Sequence, residues 1–433
     1  PSPSPSPSPS PCPPFSSPET GLSLHPIHQL NKNKQCYIAA QGCAHGELET
    51  IYESVTFIEN KHNISIELLL CCGDFQSMRD QNDLAHMSCP QKYKRMVSFH
   101  KYYDGTKTAP VLTVFIGGNH EASNFLYHLP FGGWVAKNIY FMGFAGVIKY
   151  RGLRIGGISG IFKAPDYKKG RFEHLKSPFP SRVWAKGELV SAYHQRELDV
   201  YRLLQTTEKI EIFLSHDWPS GICEYGDLKA LLRKKKFLQN DIEKGVLGSN
   251  PLAEILHKKQ PNYWFSAHLH CKFAAIVPHS DTSCTRFLAL DKVLPNRDFL
   301  QVLDLLDRLS VLEEKDSSPS SPSSPSSSSI PSFSPDTHAL CYDEEWLAIL
   351  RATYDLETFS EERVSIPTTP PEISVRKHHP SFDPIPLPKE SDLLDPISQT
   401  KKILSHAALP PSAWQSSPSP SSSPSPSPSP SPS

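Results

Sequence analysis

The chain has 433 residues, 43 of them proline and many of those in Ser-Pro repeats, with Lys+Arg 44 against Asp+Glu 45. A formal charge of −1 excludes a globally basic nucleic-acid binder, so any such footprint is local. Ten cysteines without a Cys-x-x-Cys pair argue against a zinc ribbon or disulfide framework and fit a reducing compartment; no apolar run nears the ~20 residues of a membrane span, and no secretory signal is expected.

Residues 1–32 open on a Pro-Ser repeat with little apolar surface to set against ordering entropy, and read as a disordered tail. A globular pattern follows over 33–310. Tyr37 to Ala40 predicts a first strand, and the helical spacing of Leu48, Ile51, Val55 and Ile58 predicts a helix that Asn63 ends. Ile64 to Cys72 is a buried strand, parallel to the first through a right-handed crossover. A helix is expected over Tyr93 to Tyr103 and a strand over Val111 to Ile116. Shorter strands follow at Ile139 to Met142, Gly146 to Tyr150 and Leu153 to Ile158. Residues 159–189 lack periodicity and mix Lys163, Lys168, Lys169, Arg171, His174, Lys176 and Arg182 with aromatics, which suggests a functional loop.

Ser191 to Leu204 is expected to be one helix. Strands are expected at Ile210 to Leu214 and Tyr263 to Phe265, and Phe287 to Leu290 and Phe299 to Leu305 close the sheet. A helix opens at Asn250-Pro251. The basic run Arg233 to Lys236 reads as a solvated helix face. A Ser/Pro linker spans 311–335 and a small module 336–410, where Asp343 to Glu345 cap a helix striped by Trp346, Ile349 and Leu350. Residues 411–433 are again a Ser/Pro tail.

Five short words stand at strand exits: Gly42-Cys43-Ala44-His45-Gly46, Gly73-Asp74-Phe75, Gly118-Asn119-His120-Glu121, Ser215-His216-Asp217 and Ala267-His268-Leu269-His270. Loops at strand ends on a rigid sheet are where a layered α/β enzyme presents ligands. Several imidazoles, one carboxylate and an amide are the inventory of a two-metal phosphoesterase, and Asp74 could bridge cations ~3.5–4 Å apart. Thiolate at Cys43 would bias its site toward Zn²⁺ or Fe²⁺.

In this order the words resemble the calcineurin-like metallophosphoesterases, with Cys43 where most members have Asp. That substitution, with Ser215-His216-Asp217-Trp218-Pro219, Ser266 to Phe273, Leu290-Asp291-Lys292 and Glu344 to Thr353, is similar to the RNA lariat debranching enzyme family. The resemblance implies an α/β fold, an αββα sandwich of two mixed sheets flanked by helices, with a small C-terminal module. It implies hydrolysis of the 2′–5′ phosphodiester of branched (lariat) RNA, two divalent metals from Fe²⁺, Zn²⁺ and Mn²⁺, and a nuclear location. Carried over, Cys43, His45, Asp74 and His270 hold one metal, and Asp74, Asn119, His216 and His268 the other. His120 matches the catalytic His. Residues 159–189 match the lariat recognition loop, with Arg171 where the family commonly has His. Lys168, Lys169, Arg171, Phe172, Tyr193, His194 and Arg196 are expected to contact substrate, and the Ser/Pro tails to meet splicing or intron-turnover factors.

The expected chemistry is metal-hydroxide attack in line, with His120 as the general acid for the departing 2′-oxygen. A phosphoprotein phosphatase reading fits less well, since Gly73-Asp74-Phe75-Gln76-Ser77-Met78-Arg79 departs from Gly-Asp-x-x-Asp-Arg-Gly. A DNA nuclease is disfavoured by Cys43. A non-catalytic scaffold should have lost ligands, and all seven remain.

Overall fold

A computed structural model of the protein describes residues 36–173, 183–305, 339–358, 360–373, 385–388, 393 and 395–407. The segments 1–32, 311–335 and 411–433, and with them His174, Lys176 and Arg182, lie outside the described residues.

The described strands are β1 Tyr37–Gln41, β2 Ile66–Cys71, β3 Leu112–Phe115, β4 Gly133–Ala136, β5 Ile139–Phe141, β6 Ala145–Tyr150, β7 Leu153–Ile158, β8 Ile212–Ser215, β9 Tyr263–Ser266, β10 Phe273–Pro278, β11 Cys284–Ala289, β12 Leu300–Asp304 and β13 Leu340–Tyr342. They form two mixed sheets, ordered β12-β1-β2-β3-β5-β4 and β10-β11-β9-β8-β7-β6-β13. In the first sheet β1, β2, β3 and β5 run parallel. In the second, β7, β8, β9 and β11 do.

Strand alternation explains the layers. In β2, Leu68 and Leu70 face the space between the sheets with Ile155 and Leu214, while Leu69 and Cys71 face outward. The outward face is covered by the helix Leu48–His62 through Leu48, Ile51, Tyr52 and Val55. The second sheet is covered by the helices Glu197–Leu204 and Asn250–Lys259 through Val200, Leu203, Leu252 and Ile255. Strands buried on both faces need no polar positions, hence the near-continuous apolar runs. The result is the expected αββα sandwich. Among the described residues, no helix is long and apolar enough to cross a membrane.

Two expected helices differ. Between Tyr93 and Tyr103 only Gln91–Tyr93 and His100–Tyr103 are helical. The chain between them is claimed by the start of helix Leu48–His62, where Ser98 Oγ accepts from Leu48 N–H (3.1 Å) and donates to the Gly46 carbonyl. The helix expected over Ser191 to Leu204 is broken into Lys186–Ser191 and Glu197–Leu204. At the break His194 bridges to Ile161, Gln195 N–H donates to the Ile161 carbonyl (3.0 Å), and Arg196 is extended. Sheet-like pairing there outcompetes helix propensity. The strands β4, β10 and β13 fall outside those expected from the sequence.

The C-terminal module is stitched into the sandwich. Strand β13 pairs with β6, and Asp343 caps the helix Glu344–Ala352 by accepting from Trp346 N–H (2.8 Å). The same carboxylate takes two bonds from Arg154 on β7 (2.7 and 2.8 Å), whose guanidinium also reaches Glu345 (2.8 Å). The chain near residue 360 pairs with the loop after β7: Arg171 N–H donates to the Thr358 carbonyl (3.0 Å) and Val364 N–H to the Lys168 carbonyl (2.8 Å).

Arg154 and Asp343 are both buried. Arg154→Leu takes from Asp343 and Glu345 the guanidinium that bonds both, leaving Asp343 with Lys149 at 3.7 Å, and removing one partner of a buried pair costs about 3–5 kcal/mol. Urea denaturation should show the midpoint falling accordingly; an unchanged midpoint would show the clamp to be dispensable.

Candidate metal centre

The five words meet at the carboxyl ends of parallel strands, three from the first sheet and two from the second. This is where open α/β sheets place ligands. Neighbouring strands β1, β2 and β3 deliver Cys43 and His45, Asp74, and Asn119 and His120. Strands β8 and β9 deliver His216, and His268 with His270.

Donor atoms of Cys43, His45, Asp74 and His270 all lie within 4.8 Å of one another. His45 Nε2 stands 3.1 Å from His270 Nε2 and 3.7 Å from Asp74 Oδ2. On the other side of Asp74, His216 Nε2 lies 3.3 Å from Oδ1 and 3.1 Å from Asn119 Oδ1. The His268 ring sits 5.0 Å from that of His216. All seven expected ligands are therefore brought together, in two groups that share Asp74.

Proton positions decide what this arrangement can hold. His216 Nδ1 is 2.8 Å from the Cys72 carbonyl, which can only accept, so Nδ1 carries the hydrogen and Nε2 presents a lone pair. That lone pair faces two further acceptors, Asn119 Oδ1 and Asp74 Oδ1, the latter also accepting from His120 N–H (2.8 Å). Lone pairs converging in a buried space are satisfied by a cation. The sulfur, nitrogen and oxygen set fits a pair of divalent ions.

Electrostatics agrees. Burial pushes the His216 imidazole down to about 4, and burial with the neighbouring His45 pushes His270 down to about 3. Both are thus neutral near pH 7 and able to ligate. Burial alone would raise Asp74, but His216, His45, His120 and the His120 N–H (2.8 Å) hold it well below the usual carboxylate range. Burial, with the Asp74 charge, pushes the Cys43 thiol far up, so a bound cation is what would make it a thiolate.

The loops are strained and packed without slack. Asp74, His45, His268 and His270 all have positive φ (48°, 48°, 63° and 49°), a conformation that persists only where surroundings impose it. Glu121 imposes part of it: its buried carboxylate accepts from the N–H groups of Phe75 (2.7 Å), Gln76 (2.8 Å) and Gly118 (2.9 Å), tying the second word to the third. Gln76 in turn contacts His45 Nδ1 (3.1 Å).

His120 stands beside this set. Its Nδ1–H donates to the Ser88 carbonyl (3.0 Å), and its ring lies 6.0 Å from that of His45. Tyr193, half-buried, bonds to Ser88 and lines a cavity with Gly118, Ser159 and His194. Asp217 ties the His216 loop to the start of the basic loop, accepting from Phe162 N–H (3.2 Å).

The expected substrate contacts divide. Lys168 is exposed and Lys169 half-exposed, its ammonium 5.6 Å over the Phe172 ring. Arg171 and Arg196 are buried and committed inward, which corrects their expected role. Arg171 pairs with Asp199 (2.6 Å) over the Phe144 ring, and Arg196 with Glu173 (2.7 Å). Phe172 is buried, and His194 is held by Asp166 (2.7 Å).

Glu121 and Lys292 also bear on the site, though neither is among the residues expected from the sequence to act there. The Lys292 charge reaches both His45 and His270, opposing their protonation. A signal existed for each: Glu121 was left without a task in Gly118 to Glu121, and Lys292 is the cation of Leu290-Asp291-Lys292.

Residues 37–272 match the family model for calcineurin-like phosphoesterases. Residues 282–382 match the lariat debranching enzyme C-terminal domain. The chain is 50% identical over 335 residues to lariat debranching enzyme A of Xenopus laevis, covering 76% of this chain and 57% of that protein. It is 50% identical over 325 residues to the human lariat debranching enzyme, covering 74% and 54%, and 47% identical over 315 residues to that of Arabidopsis thaliana, covering 72% and 68%. The chain belongs to the lariat debranching enzyme family. It spans a little over half the length of its vertebrate relatives.

Gly118 gives the site its most exacting test. A Cβ there would lie 2.2 Å from Asp74 Oδ1 and 2.8 Å from His216 Cε1. Gly118→Ala must push the shared carboxylate aside, so metal content should fall while circular dichroism stays native. Full metal content in a folded Gly118→Ala protein would contradict the geometry.

Proposed function

We propose that this chain hydrolyses the 2′–5′ phosphodiester at the branch point of excised intron lariat RNA, in the nucleus. The observation that carries the reading is the convergence of His45, His270, His216 and Asn119 on the buried Asp74, with Cys43 in the first position. Cys43, His45, Asp74 and His270 would hold one divalent ion, and Asp74, Asn119, His216 and His268 the other, drawn from Fe²⁺, Zn²⁺ and Mn²⁺. Bound there, the ions would neutralise the phosphate and supply water of lowered pKa as nucleophile.

The remaining steps fall to the protein. Asn119 and its neighbours position the phosphate, and His120 stands next to them without belonging to either donor group. Ser88 fixes its Nδ1–H, so a further proton carried by His120 sits on Nε2. Delivered from there to the departing 2′-oxygen, it would complete cleavage of the P–O2′ bond as water adds to phosphorus. Lys168, Lys169 and Tyr193 supply the contacts that favour a branched ribose, through charge on phosphate and an aromatic face on an unpaired base. The Ser/Pro segments are the proposed contacts for splicing or intron-turnover factors.

Metal-loaded protein should be offered branched RNA, linear RNA, single-stranded DNA and a phosphopeptide. Cleavage confined to the 2′–5′ bond and abolished by chelator is the expected result; equal cleavage of linear RNA or DNA would reassign the chain to a general nuclease.

His120→Ala should lower kcat by ~10²–10⁴, the range of general-acid catalysis, with KM and metal content little changed. A branched substrate whose leaving oxygen needs no proton should recover much of that rate. Metal loss in this variant would make His120 a ligand instead.

Replacing Cys43 with Ser should empty one metal position more than the other, because a serine hydroxyl stays protonated where a metal-bound thiol does not. Elemental analysis showing both ions retained would remove Cys43 from the ligand set.

A further inference from the structure

Exposed cations cluster on a second surface, away from the basic loop. The helix Leu228–Lys234, the turn Lys236–Leu238 and the residue between them carry Lys229, Arg233, Lys234, Lys235 and Lys236, four of them exposed, and none makes an ion pair among the described residues. No acidic residue interrupts 228–240; Asp227 before it caps Ala230 (2.8 Å), and Asp241 and Glu243 lie beyond it. Two aromatic rings stand among these charges. Phe237 is 70% exposed, with Lys235 Nζ 5.9 Å over its ring, and Tyr225 is 39% exposed. A solvated helix face accounts for the lysines. It does not account for an exposed phenylalanine.

The topology fixes where this surface lies. Gly226 bridges Ala275 on β10, and Cys223, Leu231 and Leu238 pack in one cluster with Cys271 and Phe273. The basic segment is thereby held against the chain that immediately follows ligand His270. Its charges at Lys234 and Lys235 act on Cys271, the next residue. In the second sheet, β8 and β9 deliver His216, His268 and His270. The basic loop leaves from β7 on one side of them, and β10, with the basic segment, lies on the other.

A branched RNA leaves its branch ribose in three directions, so contacts confined to the β7 side cannot hold every arm. We propose that Lys229, Arg233, Lys234, Lys235, Lys236 and Phe237 form a second track for single-stranded RNA, which receives one arm of the substrate beyond the branch. Cations follow the phosphates and the exposed rings stack on unpaired bases, the pairing by which proteins bind single strands without reading sequence. The track rests on the proposed debranching reaction for its substrate, and it acts on binding rather than on bond cleavage.

The test compares two branched substrates, a branched trinucleotide and one carrying arms of about 12 nucleotides, within the footprint of single-strand binding folds. The triple variant Lys234→Ala, Lys235→Ala, Lys236→Ala should lose about tenfold in kcat/KM on the long-armed substrate, mostly through KM. Its salt dependence should flatten by about two in log–log slope, at ~0.7 per phosphate contact. The branched trinucleotide should be cleaved at the native rate. Phe237→Ala should raise KM for the long-armed substrate while leaving the salt slope as it was. Equal losses on both substrates, or no loss on either, would overturn the track. Should the unaltered protein cleave neither substrate, the debranching reading fails by itself. Fluorescence anisotropy with a single-stranded RNA then decides the surface: about tenfold weaker binding by the triple variant upholds it, and equal binding removes it.

Discussion

The structure turns on a buried carboxylate, Asp74, on which imidazoles, a thiol and an amide converge from two sides. Asp74 faces His45 and the Cys43 group on one side, and His216 and Asn119 on the other, at distances of 3.3–3.7 Å where its oxygens meet imidazole nitrogens. Where His216 Nε2 meets Asn119 Oδ1 and Asp74 without a cation, acceptor faces acceptor in a region shielded from water, which is costly. With cations it becomes a site. Much nearby architecture serves this contradiction. Gly118 leaves no side chain where Asp74 must lie, and Glu121 collects three backbone N–H groups to hold two loops in register. The left-handed backbone at His45, Asp74, His268 and His270 is imposed by the same crowding.

That centre also explains why two sheets are needed. One sheet places its strand ends in a row, and side chains that surround Asp74 must come from opposing directions. The αββα arrangement sets the ends of β1, β2 and β3 against those of β8 and β9. The C-terminal module then extends the second sheet and braces the loop after β7 through Thr358 and Val364. A loop proposed to grip branched RNA is thus backed by sequence about 190 residues distant, as the separation of Arg171 and Thr358 requires.

Much of this was legible in the chain. The strands before each word were visible because doubly covered strands are nearly all apolar, and the ligands because each word follows such a run. Asn63 ended its helix as read, in the left-handed conformation (φ 51°). What escaped was set by partners far off in sequence. Ser98 unwinds its neighbourhood to serve the start of a helix fifty residues earlier, and Gln195 breaks a helix to pair with Ile161. Arg171 in the basic loop and Arg196 beyond it look like phosphate ligands. Only the fold reveals Asp199 and Glu173 waiting behind them. Strand β10 escaped because its exposed alternate residues, Ala274 and Ile276, are as apolar as its buried ones.

The most direct test of the shared-carboxylate account is metal stoichiometry. Elemental mass spectrometry on the intact protein should find two transition-metal ions per chain. Asp74→Ala, which removes the residue common to both groups, should lose both, whereas His270→Ala should lose chiefly one. Retention of one full-occupancy ion by Asp74→Ala, with the fold intact, would mean that the two groups do not share their anion.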